Sequence, residues 1–111
     1  MATLTVQTLT RAGLRNDAGA GTACAAGGDV FSNDGRTFIE LDNGHTSAQT
    51  VNVQAWIEGA WVTVRSVAVT NGQGRIIGPF PMDWNNASGQ LNLTYSGVTA
   101  LTIAAYTLPA S

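Results

Sequence analysis

Apart from its hydroxyl groups, this 111-residue chain offers one histidine, one cysteine and seven carboxylates for acid–base, nucleophilic or metal chemistry. A nucleophile needs a base within hydrogen-bond reach, and a triad needs a third group to orient that base. His45 is the sole imidazole and stands in the turn-like run Asn43-Gly44-His45-Thr46, where a solvated loop position is expected. Cys24 sits among glycines and alanines with no cationic neighbour in sequence to lower its pKa, so a bystander thiol is expected. Asp34, Asp42 and Glu58 fall in turns or at strand ends, where carboxylates are ordinary, and an acid pair for glycoside hydrolysis is not expected. One cysteine and one histidine cannot furnish a zinc site, and no calcium-loop spacing of aspartates occurs. The run GAGTACAAGG carries no Gly-Lys-Ser/Thr and opens no helix that could hold a phosphate. The chain reads as a non-enzyme, with no catalytic, cofactor-binding or metal-ligating residue assigned.

Composition excludes further classes. Charged residues make up 11% of the chain, net charge is −2, and all five basic residues are arginine. A nucleic-acid binder needs a basic face to neutralise phosphates, so no nucleic-acid partner is expected. The apolar runs are far too short for a membrane span. No basic-then-apolar leader precedes the first strand-like segment, so secretion is not signalled and the sequons at Asn86 and Asn92 are expected to stay unmodified. With 44% hydrophobic residues the chain should collapse into one domain spanning 1–111.

The elements that would position any site follow a period of two, not 3.6. Alternation marks strands at 3–8, 29–32, 37–42, 51–57, 61–69, 75–78, 90–95 and 99–108, about eight in all. Residues 12–29, mostly glycine and alanine, read as a long flexible loop or arm. Asn43-Gly44 is the strongest hairpin dipeptide, and Glu58-Gly59-Ala60 is a second turn joining two strands. Short links without crossover helices argue for an all-β, antiparallel β-sandwich.

The aromatics carry the interaction signal. Trp56 and Trp61 alternate away from the apolar faces of their strands. Pro79 and Pro81 restrict φ in a stiff loop that would present Phe80, Met82 and Trp84 with little entropy to lose on docking. Pro79, Phe80, Pro81, Met82 and Trp84 are therefore the candidate protein-contact residues. The competing expectation is that the loop closes the sandwich end, with Phe80 in its own core.

The run Arg75-Ile76-Ile77-Gly78-Pro79-Phe80-Pro81, then Trp84-Asn85, then QLNLTYSGVT at 90–99 and the apolar ending resemble small β-rich virion proteins of tailed bacteriophages. The opening MATLTVQT, the Ala/Gly-rich arm and Gly28-Asp29-Val30-Phe31 before a turn carry the same resemblance. It implies a capsid decoration, or cement, protein of jelly-roll-like β-sandwich type, made in the host cytoplasm and placed on the capsid exterior of the virion. Its implied partners are the major capsid protein and further copies of itself, a trimer being favoured. The resemblance carries over no functional residue. Two other readings stand beside it: a phage tail or baseplate component, and a carbohydrate-binding module using Trp84 or Trp56 as a stacking platform.

Overall fold

The computed structural model describes residues 2–8 and 22–108. In chain order their strands are β1 (Ala2–Thr3), β2 (Val6–Thr8), β3 (Thr22–Ala23), β4 (Asp29–Ser32), β5 (Thr37–Asn43), β6 (Gln49–Ile57), β7 (Ala60–Val69), β8 (Gly74–Ile77), β9 (Gln90–Tyr95) and β10 (Leu101–Thr107). A single 3-10 turn, Met82–Trp84, is the only helical element among the described residues. One sheet runs β1-β4-β9-β6-β7 and the other β2-β10-β5-β8, with β3 also on β10. Every pairing is antiparallel except β1 with β4 and β2 with β10. From β4 onward, only the β6–β7 link stays within one sheet, and each of the others carries the chain across to the facing sheet. The result is the antiparallel β-sandwich that the period-two pattern predicts.

Alternation builds the core. Ile39 and Leu41 of β5, Val51 and Val53 of β6, Leu91 and Leu93 of β9, and Leu101 and Ile103 of β10 point between the sheets and are essentially solvent-free. Burying each such side chain contributes about 1.5–3 kcal/mol. The outer face of the first sheet is held instead by polar rungs at matched register. Asn92 Nδ2 donates to Gln54 Oε1 (2.6 Å), whose Nε2 donates to Thr63 Oγ1 (3.2 Å). One register step away, Ser66 Oγ donates to Asn52 Oδ1 (2.8 Å), and Asn52 Nδ2 to Thr94 Oγ1 (3.3 Å).

Several expectations need correction. The single strand at 3–8 is two short strands that join different sheets, because Leu4 turns into the core between them. Residues 12–21 of the expected arm lie outside the described residues, but 22–29 are no arm. Thr22–Ala23 pairs with β10, Cys24 is buried, and Asp29 starts β4. Asn43-Gly44 makes no hairpin, since β5 and β6 belong to facing sheets. Its asparagine is buried instead: Asn43 Nδ2 donates to Val69 O (2.9 Å) and Ser47 O (3.0 Å), and its Oδ1 accepts from Gln49 Nε2 (2.9 Å).

The hairpin that does form is β6–β7, and its turn residues Glu58 and Gly59 both have positive φ, 50° and 81°. This is the sign pattern of a type I′ turn, which suits the strand twist and favours asparagine then glycine. A glutamate in the left-handed region is strained. Glu58→Asn is expected to raise stability by about 0.5–1 kcal/mol, read as a higher urea midpoint at unchanged slope.

Candidate functional site

The two sheets end unequally on their two flanks. On one, the outermost strands are β1, β2 and β3, each of two or three residues. On the other they are β7, of ten residues, and β8, of four, each paired on one side only. Between these two free edges lies a cleft of about 320 Å³ lined by Arg65 and Val67 from β7, Arg75 and Ile77 from β8, and Phe80 and Trp84 from the following loop. Register accounts for the inward arginines. Arg65 stands opposite Val53 and Arg75 opposite Leu41, so both occupy core-facing positions where the sandwich opens to solvent. Neither makes an ion pair or side-chain hydrogen bond among the described residues, whereas Arg36 is paired with Asp34 (3.5 Å).

The flank is also where apolar surface is left uncovered. Trp56, Ile57, Val62, Val64, Ile76 and Met82 are the exposed large hydrophobic side chains among the described residues, Leu108 excepted. They sit on the β6–β7 hairpin, on β8 and on the 3-10 turn. Trp56 and Trp61 face each other across the hairpin, edge to face at 5.1 Å between ring centres, an arrangement worth about 0.5–1.5 kcal/mol beyond burial.

An amide pair, Asn33 buried and Asn85 half-buried, positions the loop that closes one end of the cleft. Asn33 Nδ2 lies within hydrogen-bond distance of Phe80 O (3.3 Å), Pro81 O (3.2 Å) and Asn85 Oδ1 (2.9 Å). Asn85 Nδ2 returns a bond to Asn33 O (2.8 Å). Gly78 lets the loop approach β5: its φ is +132°, and a Cβ there would meet Phe38 Cβ at 2.8 Å.

The structure divides the predicted contact residues. Pro79, Pro81 and Met82 are exposed, Met82 at 60%. Trp84 is half-buried against the core edge, its ring 6.4 Å from that of Phe80. Phe80 is only 5% exposed and packs on Phe31 at 5.7 Å, so it belongs to the core and is not a contact residue. Arg65, Arg75 and the exposed apolar residues of β7 were not visible as site residues in the sequence. Their signal was a break of parity along β7, with Val62 and Val64 at even positions and Val67 and Val69 at odd ones, which the register shift opposite Val53 and Gln54 produces.

His45 lies half-buried in the β5–β6 link, where its backbone N–H donates to Asn43 Oδ1 (3.0 Å). Cys24, expected as a bystander thiol in an open arm, is enclosed instead. It is 7% exposed and belongs to the core. Burial pushes its thiol up to about 11, against the lowering effect of a hydrogen bond with Tyr95. Tyr95 Oη donates to Asp29 Oδ2 (2.6 Å), and burial together with that bond raises the tyrosine pKa. A protonated, enclosed thiol is a poor nucleophile.

Comparison with family models, with characterised proteins and with solved structures finds no match to this chain.

Two outcomes test this geometry. Asn33→Ala orphans the loop carbonyls and should cost about 1–3 kcal/mol, measured by denaturant unfolding. Cys24 should resist a thiol-labelling reagent in the folded protein at pH 8 and react fully once urea unfolds the chain. Rapid labelling of the native protein would refute its buried placement.

Proposed function

We propose that this chain is a structural virion protein that decorates and stabilises the capsid of a tailed bacteriophage by binding between major capsid protein subunits. The observation that carries the reading is that exposed apolar side chains stand on the β6–β7 hairpin, on β8 and on the 3-10 turn, beside two strand edges left unpaired. Exposed apolar groups beside free strand edges mark protein–protein contact. The resemblance of residues 75–99 and of the amino-terminal segment to phage decoration proteins supplies the kind of partner. A module of this design acts by binding alone: if it engages only the assembled lattice, it stabilises that state by mass action.

The strand order supports the finer architecture. With β3 and β2 at one edge, β3-β10-β5-β8 faces β4-β9-β6-β7, and successive strands alternate between the sheets apart from the β6–β7 hairpin. We read this winding as a jelly roll. In the assembled virion the chain would sit on the capsid exterior, as a homo-oligomer with a trimer favoured, and the β7–β8 flank would be its contact face.

Electron cryomicroscopy of the phage particle that encodes the chain tests the placement. Density for the sandwich on the capsid surface, seated on the major capsid protein, is expected. Density in the tail or baseplate would transfer the chain to that structure, and absence from the particle would end the virion reading. The double variant Val62→Thr, Ile76→Thr should lower capsid binding by about 2 kcal/mol with thermal unfolding unchanged. Phe80→Ala should instead cost about 3–5 kcal/mol of folding stability.

A further inference from the structure

Arg65 and Arg75 are placed against the grain of the sandwich. They come from facing sheets, occupy positions whose cross-strand neighbours are core aliphatics, and line one cleft. Their only described basic companion, Arg36, is neutralised by Asp34 at the opposite end of β5. Two like charges that line one cleft repel one another, and their repulsion is relieved when an anion enters between them. Guanidinium groups suit a carboxylate in particular, because the planar fork matches its two oxygens.

The remaining walls say what carries that carboxylate. Val67, Ile77, Pro79, Phe80 and Trp84 offer no side-chain acceptor, so the hydroxyls of a sugar would find no carboxylate or amide in the walls to receive them. The rims of the cleft are the free edges of β7 and β8, whose unpaired backbone groups suit an extended chain. We propose that this cleft is the docking site for an extended protein segment carrying an aspartate or glutamate flanked by apolar residues, with the carboxylate held between Arg65 and Arg75. The inference rests on taking the β7–β8 flank as the contact face, and it adds the chemistry of the partner.

The test uses the full chain and two capped peptides that alternate threonine and valine around a central residue, aspartate in one and asparagine in the other. Nuclear magnetic resonance titration of backbone amides should give saturable shifts along β7 and β8 with the aspartate peptide. Binding of the asparagine peptide should be weaker by about tenfold or more, the worth of a charge-assisted hydrogen bond. Arg65→Gln and Arg75→Gln, both at exposed positions, should each remove that preference while leaving the spectrum that of the folded wild type. Equal binding of the two peptides, or no shift along β7 and β8, would overturn the proposal. So would saturation of the same amides by glucuronate or inorganic phosphate at equal concentration, which would make the cleft a simple anion site. A third overturning result is self-association of the Arg65→Gln, Arg75→Gln double variant with wild-type peptide preference retained, since the arginines would then be edge guards only. Failure here and failure of the virion reading are separable. A double variant that decorates capsids at wild-type occupancy removes the carboxylate anchor and leaves the virion reading, whereas a chain absent from particles does the reverse.

Discussion

Three buried amide side chains, Asn33, Asn43 and Gln49, tie the loops across the two ends of the sandwich, and the path of the loop beside the β7–β8 cleft depends on the first. A fold in which nearly every link passes between sheets has many loop carbonyls to satisfy at its ends, and the described residues offer no α-helix to absorb them. Asn33 answers this at one end by holding Phe80 O and Pro81 O. At the other end Gln49 Nε2 donates to both Asn43 Oδ1 and Thr99 O, each at 2.9 Å. Each such bond is worth only about 1 kcal/mol net, but a carbonyl left buried without one costs more. The amides are therefore required by the topology, and they fix where the loop leaves the core.

That exit point decides how one short loop serves two purposes. Phe80 turns inward against Phe31, while Met82 two residues later lies over Gly35 in open surface. Trp84 stands between, one side on Phe80 and the other towards the cleft. Rigidity of the exposed part comes from burial of the inner part, so the surface presents its apolar groups with little conformational entropy left to lose. Of the five candidate contact residues named from the sequence, Phe80 is the one that serves the core.

Much of the fold was legible because strands with one buried face write their period into the sequence. The segments 29–32 and 90–95 match β4 and β9 residue for residue, since Val30-Phe31 and the alternating Leu91 and Leu93 each stand between punctuating turns. Period two says which residues share a face but not which sheet a strand joins. Hence the opening segment read as one strand where Leu4 separates two, and Asn43-Gly44 read as a hairpin where the chain changes sheets. Polar residues that enter the core leave no hydrophobic signal. Asn43 and Gln49 looked like turn and loop residues, yet both are buried. Cys24 failed for a related reason: its alanine and glycine neighbours have little to bury, but the thiol itself fills a place in the core.

The candidate site was legible in half its parts, and the missing half is electrostatic. The prolines and aromatics at 79–84 announce themselves by composition, whereas Arg65 and Arg75 are ten residues apart in separate strands. Only the crossing from β7 to β8 brings their edges together, and only the register puts both guanidinium groups on the inward side. A charge on an inward edge position discourages edge-to-edge pairing with another copy. On the other flank β1, β2 and β3 span only two or three of the described residues each. On the β7–β8 flank the same two charges that repel a second identical edge attract an acidic one. Exclusion of self and selection of a partner thus come from one pair of residues, which is how a protein poor in charge can still discriminate at its surface.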